Sequence, residues 1–281
     1  MAITVVVSHY VQRGTDNLIN LLNQLFRTDP GLSYDLTIVC NLEKSDVHAS
    51  QQIILNLKRV LGLSIASSEN STPSFLPNTI TAGTRPNTGM NIGAWDWGWR
   101  INKCSSEFLF LQDEVVLNSS NWLAQFHEKL CSVTKSHHTQ LGLIGESWNY
   151  RWDHAWDILG KSALNRPPAG TASNPFMDKG TGRVDRIRDT LLTWHIPEGS
   201  SGGHLRSLVW YTNQESLAAI GGFHTGSDFD GCVAAEIAVS RHIASLGGAC
   251  CQLRERPFSV FWHPEWRRDG LSKRSIQPLQ S

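Results

Sequence analysis

The feature that most constrains the fold is the alternation of apolar runs and one amphipathic segment near the start of the chain. Residues 3–7 (ITVVV) form a β-branched run, which is typical of a strand buried on both faces. Residues 16–27 place leucines at helical spacing behind Asp16, a residue suited to an N-cap, and residues 36–39 (LTIV) predict a second strand. This order predicts a βαβ unit with parallel strands and a right-handed crossover.

The rest of the chain continues this alternation and then becomes irregular. Residues 67–91 are rich in Ser, Thr, Asn, Pro and Gly and predict a long loop, and residues 160–204 predict an irregular insertion with one helix near 184–193. The remaining predicted helices are 51–61, 93–101, 121–133 and 234–246, and the remaining predicted strands are 108–111 and 141–145. Residues 63–66 predict a short strand or an extended piece, and residues 209–211 and 214–220 lead to Gly221-Gly222. The fold class is therefore α/β, with a mostly parallel central sheet flanked by helices.

Composition excludes several classes of protein. Lys+Arg and Asp+Glu both number 25, so no net charge attracts nucleic acid, and no nucleic-acid partner is expected. No apolar stretch has the length of a transmembrane helix, and the N-terminus has no signal-peptide pattern. The six cysteines are scattered without a CxxC pair, which favours a reducing compartment. We therefore expect a cytoplasmic protein.

Two carboxylates interrupt an apolar run in the segment FLFLQDEVVLN, residues 108–118. Burying an unpaired carboxylate is costly, so Asp113 and Glu114 need a reason to follow this strand directly. One explanation is a solvated turn, and the other is a cation site at the carboxyl end of the strand. Ser8-His9 and Asn41 also follow predicted strands, and ligands of open α/β sheets bind at such ends. This coincidence favours a functional site.

Four segments, taken in order, resemble glycosyltransferases of the GT-A fold, close to the family 2 type. They are VVVSHY at the first strand, NTGMNIGAWDWGW at 87–99, FLFLQDEVVL at 108–117, and GGF followed by AAEIAVSRHIASLGG within 221–248. The resemblance covers residues 3–250. It implies one GT-A-like (Rossmann-like) domain at 1–258, with a nucleotide-sugar-binding half at 1–120, an acceptor half at 121–258 and a tail at 259–281.

The resemblance implies a nucleotide-sugar co-substrate and a divalent cation, Mn²⁺ or Mg²⁺, that bridges the donor's diphosphate. The family's acidic motif corresponds here to Gln112-Asp113-Glu114, in which glutamine replaces the first acid. The implied metal ligands are Asp113, Glu114 and His263, although His263 also suits a surface or packing position, and Asn91 also suits a helix cap. The implied donor-binding residues are Ser8, His9, Asn41, Asn87, Gly89, Asn91, Gly93, Gln112 and Asp113.

The resemblance places the catalytic base at Glu236, 11 residues ahead of Gly247. An inverting transferase needs a carboxylate to take the proton of the acceptor hydroxyl. The family usually has Asp preceded by Glu, and this chain has Ala235-Glu236. Asp228 and Asp230 are competing candidates, and an ordinary surface glutamate is the simpler interpretation of Glu236.

The chain has 11 tryptophans, and one cluster of them lies among polar residues. A tryptophan face suits sugar stacking, so Trp148, Trp152 and His154 are candidates for acceptor binding, with core packing as the simpler role of any single tryptophan. The arginines at 183, 186 and 188 suit either a phosphate clamp or a solvated helix face.

The sequence thus predicts a hexosyltransferase-type enzyme that transfers a sugar to a saccharide or another hydroxyl acceptor, by inversion and with metal assistance. Two alternatives remain: a catalytically silent sugar- or nucleotide-binding protein of the same fold, and a nucleotidyltransferase. No GxSxG or GxxxxGK[ST] motif is present to favour a serine hydrolase or a P-loop enzyme. The sequence does not indicate the donor nucleotide, the acceptor or the oligomeric state.

Overall fold

The computed structural model describes residues 2–43, 51–59, 61–62, 74–165 and 182–263. The strands are β1 (Ile3–Tyr10), β2 (Asp35–Leu42), β3 (Ile80–Pro86), β4 (Glu107–Gln112), β5 (Val116–Leu117), β6 (Gly142–Gly145), β7 (Val209–Asn213), β8 (Ala249–Gln252) and β9 (Phe261–Trp262). The helices are α1 (Asp16–Arg27), α2 (51–59), α3 (Met90–Ile101), α4 (Trp122–Ser136), α5 (Trp156–Lys161), α6 (Arg183–Thr193), α7 (Gln214–Ala219) and α8 (Phe229–Ser245).

Seven strands form one sheet in the order β3-β2-β1-β4-β7-β6-β8. All neighbouring pairs are parallel except β4–β7 and β7–β6, because β7 runs against the others. The predicted α/β class with a mostly parallel sheet is therefore confirmed. A second sheet pairs the two short strands β5 and β9 in antiparallel orientation.

Helices cover both faces of the large sheet, as the continuous apolar run of β1 predicts. Val5 and Val7 pack toward the side of α1 and α4, and Val6 packs toward the side of α3 and α8. A third apolar cluster joins α5 and α6 to α8. The predicted helix in the 160–204 insertion thus exists as α6 and is packed on the main domain, while residues 166–181 lie outside the described part of the chain.

Several sequence predictions need correction. The predicted loop 67–91 contains strand β3, which pairs with β2, and helix α3 begins at Met90 with Gly89 as its N-cap rather than Asn91. Thr15, not Asp16, is the N-cap of α1. Residues 259–263 belong to the folded body rather than to the tail, because β9 lies there and Phe261 is fully buried. The short strand or extended piece predicted at 63–66 lies outside the described residues, and no helix among the described ones is long and apolar enough to cross a membrane.

Helix α3 packs so closely on β1 that Gly98 has no room for a side chain. A Cβ atom at Gly98 would lie 2.4 Å from Cγ1 of Val6. We expect Gly98→Ala to lower the free energy of unfolding by about 1–3 kcal/mol, since a packed core resists an added methyl group. Urea denaturation measures this change. Gly160→Ala is the matched control, because nothing lies within 4 Å of its Cβ position; equal losses in both variants would contradict the prediction.

Candidate functional site

The carboxyl ends of β1, β2 and β4 meet at one edge of the sheet. In the parallel register Tyr10 lies opposite Asn41, and Ser8 lies opposite Gln112. Ser8, Asn41 and the following Asp113 are buried. The polar residues that the sequence placed at strand ends therefore share one edge, where ligands of open α/β sheets bind.

A buried pair forms between His9 and Asp113 at the centre of this edge. Nδ1 of His9 lies 2.5 Å from Oδ2 of Asp113, and both side chains are almost fully buried. The backbone N–H of Asp113 also donates to the carbonyl oxygen of Ser8, whose hydroxyl in turn donates to the carbonyl oxygen of Leu111. The acid is thus fixed in position by its neighbours on β1.

Glu114 lies beside Asp113 but has different partners. Arg13 forms an ion pair with Oε1 of Glu114, and Nε2 of His263 lies 3.1 Å from Oε2. The structure therefore brings His263 to Glu114, as the metal-site prediction requires. Arg13 is more than half exposed, whereas His263 is buried.

The GT-A resemblance implies a divalent cation here, and carboxylates are the hard oxygen ligands that such a cation takes. Across the residues that the structure describes, no three His, Cys, Asp or Glu side chains come together to hold an ion. Oδ2 of Asp113 contacts His9, while Oε1 and Oε2 of Glu114 contact Arg13 and His263, so imidazole and guanidinium groups contact three of the four carboxylate oxygens. As arranged, these side chains do not form a metal centre, and their role as metal ligands stays a prediction.

Ser207, just before β7, forms hydrogen bonds with three of the predicted site residues. Nε2 of Gln112 donates to the carbonyl oxygen of Ser207 at 2.5 Å, and Nδ2 of Asn91 donates to the same oxygen at 2.7 Å. The N–H and the hydroxyl of Ser207 both donate to Oε1 of Glu236. Gln112 and Glu236, from distant parts of the chain, are therefore joined through one residue.

Glu236 is held on its other side by His204. Nδ1 of His204 lies 2.7 Å from the carbonyl oxygen of Gly202 and must carry a proton, since a carbonyl only accepts. Nε2 lies 3.1 Å from Oε2 of Glu236. Burial raises the pKa of Glu236, but the hydrogen bond and charge interaction with His204 and the bonds from Ser207 outweigh burial and lower it below its usual value. Glu236 is thus an ionised carboxylate, oriented on both oxygens.

The loop before α3 carries a cation that the sequence analysis did not single out. Arg85, at the carboxyl end of β3, donates to Oδ1 of Asn41 at 2.8 Å and to the carbonyl oxygen of Thr88. A Cβ atom at Gly93 would lie 2.1 Å from that carbonyl oxygen and within about 3 Å of the guanidinium group. Because residue 93 is a glycine, the guanidinium group of Arg85 can pack against the first turn of α3.

The remaining donor-site candidates have backbone roles in this loop. Asn87 donates its backbone N–H to the carbonyl oxygen of Leu42, which ties the loop to the end of β2. Gly89 has a φ of 73°, a left-handed conformation that favours glycine. Nδ2 of Asn41 donates to the carbonyl oxygen of Met90. The loop is thus fastened to the carboxyl edge of β2.

Asp228 and Asp230, the competing base candidates, have structural partners. Asp228 is the N-cap of α8 and accepts a bond from the N–H of Gly231. Asp230 accepts from Arg183 at 2.6 Å and from Arg186 at 2.7 Å. These arginines, considered above as a phosphate clamp, thus fasten α6 to α8, while Arg188 pairs with Glu198.

The predicted acceptor residues lie in different surroundings. Trp152 is buried in the apolar cluster between α5, α6 and α8, so its face is not available for stacking. Trp148 is half-buried and lines a cavity together with Asp153 and Arg241, among other residues. Glu236 does not line this cavity. His154 is half-buried on the short loop between Trp152 and helix α5.

The sequence analysis missed several residues of this region, among them Arg85, His204, Ser207 and Glu146. Arg85 fell in the predicted loop 67–91, and His204 is the last residue of the predicted insertion 160–204. Ser207 lies in the short stretch after that insertion, to which no element was assigned. Glu146 follows β6 directly in GLIGESW and is buried. Asp113 was singled out as a carboxylate directly after an apolar strand. Glu146 shows the same pattern, which was the available signal for it.

No protein-family model matches the chain, and neither does any curated protein. Several solved structures do match the chain. A fragment of S. aureus TarS, residues 1–349, has 12% identity and a TM-score of 0.43, over 98% of this chain and 64% of its own. WbbM, a bifunctional glycosyltransferase in its apo form, has 12% identity and a TM-score of 0.45, over 85% of this chain and 38% of its own.

Glucosyl-3-phosphoglycerate synthase from Mycobacterium tuberculosis, in complex with Mn²⁺, UDP-glucose and phosphoglyceric acid, has 12% identity and a TM-score of 0.44, over 98% of this chain and 77% of its own. The chain spans less than two thirds of the length of the TarS and WbbM chains. With TM-scores below 0.5, these likenesses carry no argument about this chain.

Proposed function

We propose that this protein is a glycosyltransferase that moves a sugar from a nucleotide-sugar donor to an acceptor hydroxyl, with Glu236 as the base. One observation carries the proposal. An ionised carboxylate is oriented on both oxygens and joined through Ser207 to Gln112, at the carboxyl edge of a mostly parallel sheet. In open α/β sheets this edge is the place where nucleotide ligands bind.

The partners of Glu236 leave room for one proton. Oε1 accepts two bonds from Ser207, and Oε2 lies 3.1 Å from Nε2 of His204, so a lone pair of Oε2 has no partner among these contacts. About a fifth of the side chain is exposed (19%), which lets a substrate reach it. The acceptor oxygen attacks the anomeric carbon, its proton moves to Oε2, and the bond from that carbon to the diphosphate breaks with inversion.

The negative charge of the donor's diphosphate needs cations at this edge. Arg85 lies at the end of β3, Arg13 follows β1, and Arg206 lies close to Glu236. Burial lowers the pKa of Arg206, while the charge of Glu236 opposes that effect. We assign these guanidinium groups to the phosphates, because preorganised positive charge stabilises a diphosphate leaving group. Metal assistance by Asp113 and Glu114 and a cytoplasmic location belong to the same proposal.

One observation favours a second candidate, a catalytically silent nucleotide- or sugar-binding protein. Gln112 replaces the first acid of the family's motif, and its amide is bound to Ser207. A neutral side chain in this position brings no charge to hold a cation. Such a protein would bind a nucleotide without releasing the sugar, and a nucleotidyltransferase would instead act on a nucleoside triphosphate.

Calorimetric titration with UDP, GDP, ADP and TDP, with and without Mn²⁺, tests the site. We expect one nucleotide to bind, and we expect Asp113→Asn to weaken its binding at least about tenfold, which corresponds to ~1.4 kcal/mol. The physical reason is that the charged acid orients His9 and is the predicted ligand of the cation. If metal assists, the wild type needs Mn²⁺ for full affinity and the variant does not respond to it.

The control for this titration is Asp157→Asn, the same change at an exposed residue of α5, which should leave affinity unchanged. Absence of binding for all four nucleotides would contradict the proposed donor site. Binding without turnover of the matching nucleotide sugar would favour the silent protein.

A further inference from the structure

Residues 258–263, here called the strap, are fastened to Glu146 at the end of β6. The buried carboxylate of Glu146 accepts backbone N–H bonds from Ser259 at 2.8 Å, Val260 at 2.9 Å and Phe261 at 2.7 Å. The backbone carbonyl of Glu146 also accepts from the N–H of Phe258. One side chain therefore satisfies three successive backbone donors of the strap.

The other side of the strap is paired with the segment that follows the two acids of the candidate site. Phe261 lies opposite Leu117, and Trp262 lies opposite Val116, in the β5–β9 pair. The next residue, His263, contacts Glu114. The strap thus crosses from the end of β6 to the end of β4, and its last described residue lies at the proposed donor site.

Burying the carboxylate of Glu146 costs free energy, and the hydrogen bonds from the backbone of the strap offset that cost. Only 1% of Glu146 is exposed. Burial raises its pKa to about 7, although the N–H groups of Phe261, Ser259 and Val260 oppose the rise. Bonds from backbone N–H groups to a carboxylate are among the stronger hydrogen bonds in proteins. The proposed sugar transfer has no step for this buried acid, so its placement calls for another role.

We propose that Glu146 is a positioning residue that fastens the strap, and that the fastened strap holds His263 beside Glu114 and forms one wall of the nucleotide site. The nucleotide part of this inference rests on the proposed function. The anchoring part rests on the contacts of Glu146 alone. An experiment can therefore overturn the nucleotide part and leave the anchoring part standing.

Hydrogen exchange with mass spectrometry of the full chain tests the anchoring part. In Glu146→Gln the amide NH₂ must face backbone N–H donors, so at least one bond is lost and a donor is left unpaired. We expect protection of the amides at 259–261 to fall at least about tenfold, with β1 and α1 unchanged. Glu255→Gln is the matched control, since it is the same change at an exposed residue close to the strap.

If Glu146→Gln loses protection in all elements, Glu146→Asp replaces it, because it keeps the charge but withdraws the oxygens by one methylene. Loss of protection confined to the strap in either variant supports the anchor. Unchanged protection at 259–261 in a folded Glu146 variant overturns it. Calorimetry with the nucleotide that binds the wild type tests the second part. We expect the folded Glu146 variant to bind this nucleotide at least tenfold more weakly. Unchanged affinity in a variant whose strap has lost protection overturns the role of the strap as a wall of the nucleotide site.

A wild type that binds no nucleotide overturns the wall together with the proposed function. The anchoring part is still decided by the exchange data, because hydrogen exchange needs no ligand. The exchange experiment thus separates a failure of the strap from a failure of the proposed transferase.

Discussion

Glu236→Gln is expected to lower the rate of sugar transfer by about 10²–10⁴-fold, the range for loss of a general base. Glutamine keeps the shape of the side chain but cannot take the proton of the acceptor hydroxyl at neutral pH. Ser207 and His204 hold Glu236. Of the three proposed phosphate-binding arginines only Arg206 lies close to it, while Arg13 and Arg85 have other partners. Nucleotide affinity should therefore change little, and the loss should appear in kcat.

Initial rates with the nucleotide sugar that matches the bound nucleotide measure this effect. Glu215→Gln, on the exposed face of α7, is the control and should keep full activity. A Glu236→Gln enzyme that retains more than a tenth of the wild-type rate would show that another group takes the proton. Loss of nucleotide binding together with activity would instead indicate that Glu236 supports the donor site.

Asp230→Ala should be the most destabilising substitution among the acids considered as bases. Asp230 accepts bonds from Arg183 and Arg186, and the Arg183 side chain is only 9% exposed. Removing one partner of a buried ion pair leaves an uncompensated charge, which costs about 3–5 kcal/mol when the pair is deeply buried. Because Arg186 is a quarter exposed, we expect a loss of about 3 kcal/mol.

Urea denaturation followed by tryptophan fluorescence measures this loss. Asp189→Ala, an exposed acid on α6, is the control and should change stability by less than about 0.5 kcal/mol. The result also decides between two roles. A stable Asp230→Ala protein without transferase activity would contradict the structural role and would restore Asp230 as a catalytic candidate.

The sequence predicted the elements whose residues are buried on both faces or along one helical stripe. The apolar run of β1, the leucines of α1 and the run of β4 carry a strong periodic signal, and each element lies where it was predicted. Strand β3 carries no such signal. It is an edge strand that is partly exposed along its whole length, so its sequence ITAGTRP contains few apolar residues.

The candidate site was predictable only in part. Strand ends are visible in a sequence, which is why Asp113, His9 and Asn41 were found. The contact of Ser207 with Glu236 joins residues 29 positions apart, and that of Gln112 with Ser207 joins residues 95 positions apart, so neither follows from local pattern. The second depends on the antiparallel placement of β7 beside β4, and the first depends on the position of α8, which carries Glu236.

Trp152 shows how a local pattern misleads. Its polar neighbours suggested a sugar-binding surface, but Asp153 is exposed while Trp152 turns into the apolar cluster with α6 and α8. Arg183 stacks on its ring, with the guanidinium carbon 5.5 Å from the ring centroid. The polarity of a segment therefore says little about the direction of one aromatic side chain within it.

The central claim is that the carboxyl edge of the sheet holds the nucleotide of a sugar donor beside Glu236. Hydrogen exchange of the wild type, with and without the nucleoside diphosphate that binds in calorimetry, tests it most directly. We expect added protection at residues 8–13, 85–93 and 112–117. Protection confined to the opposite edge, at the cavity lined by Asp29, Tyr34 and Phe75, would contradict it.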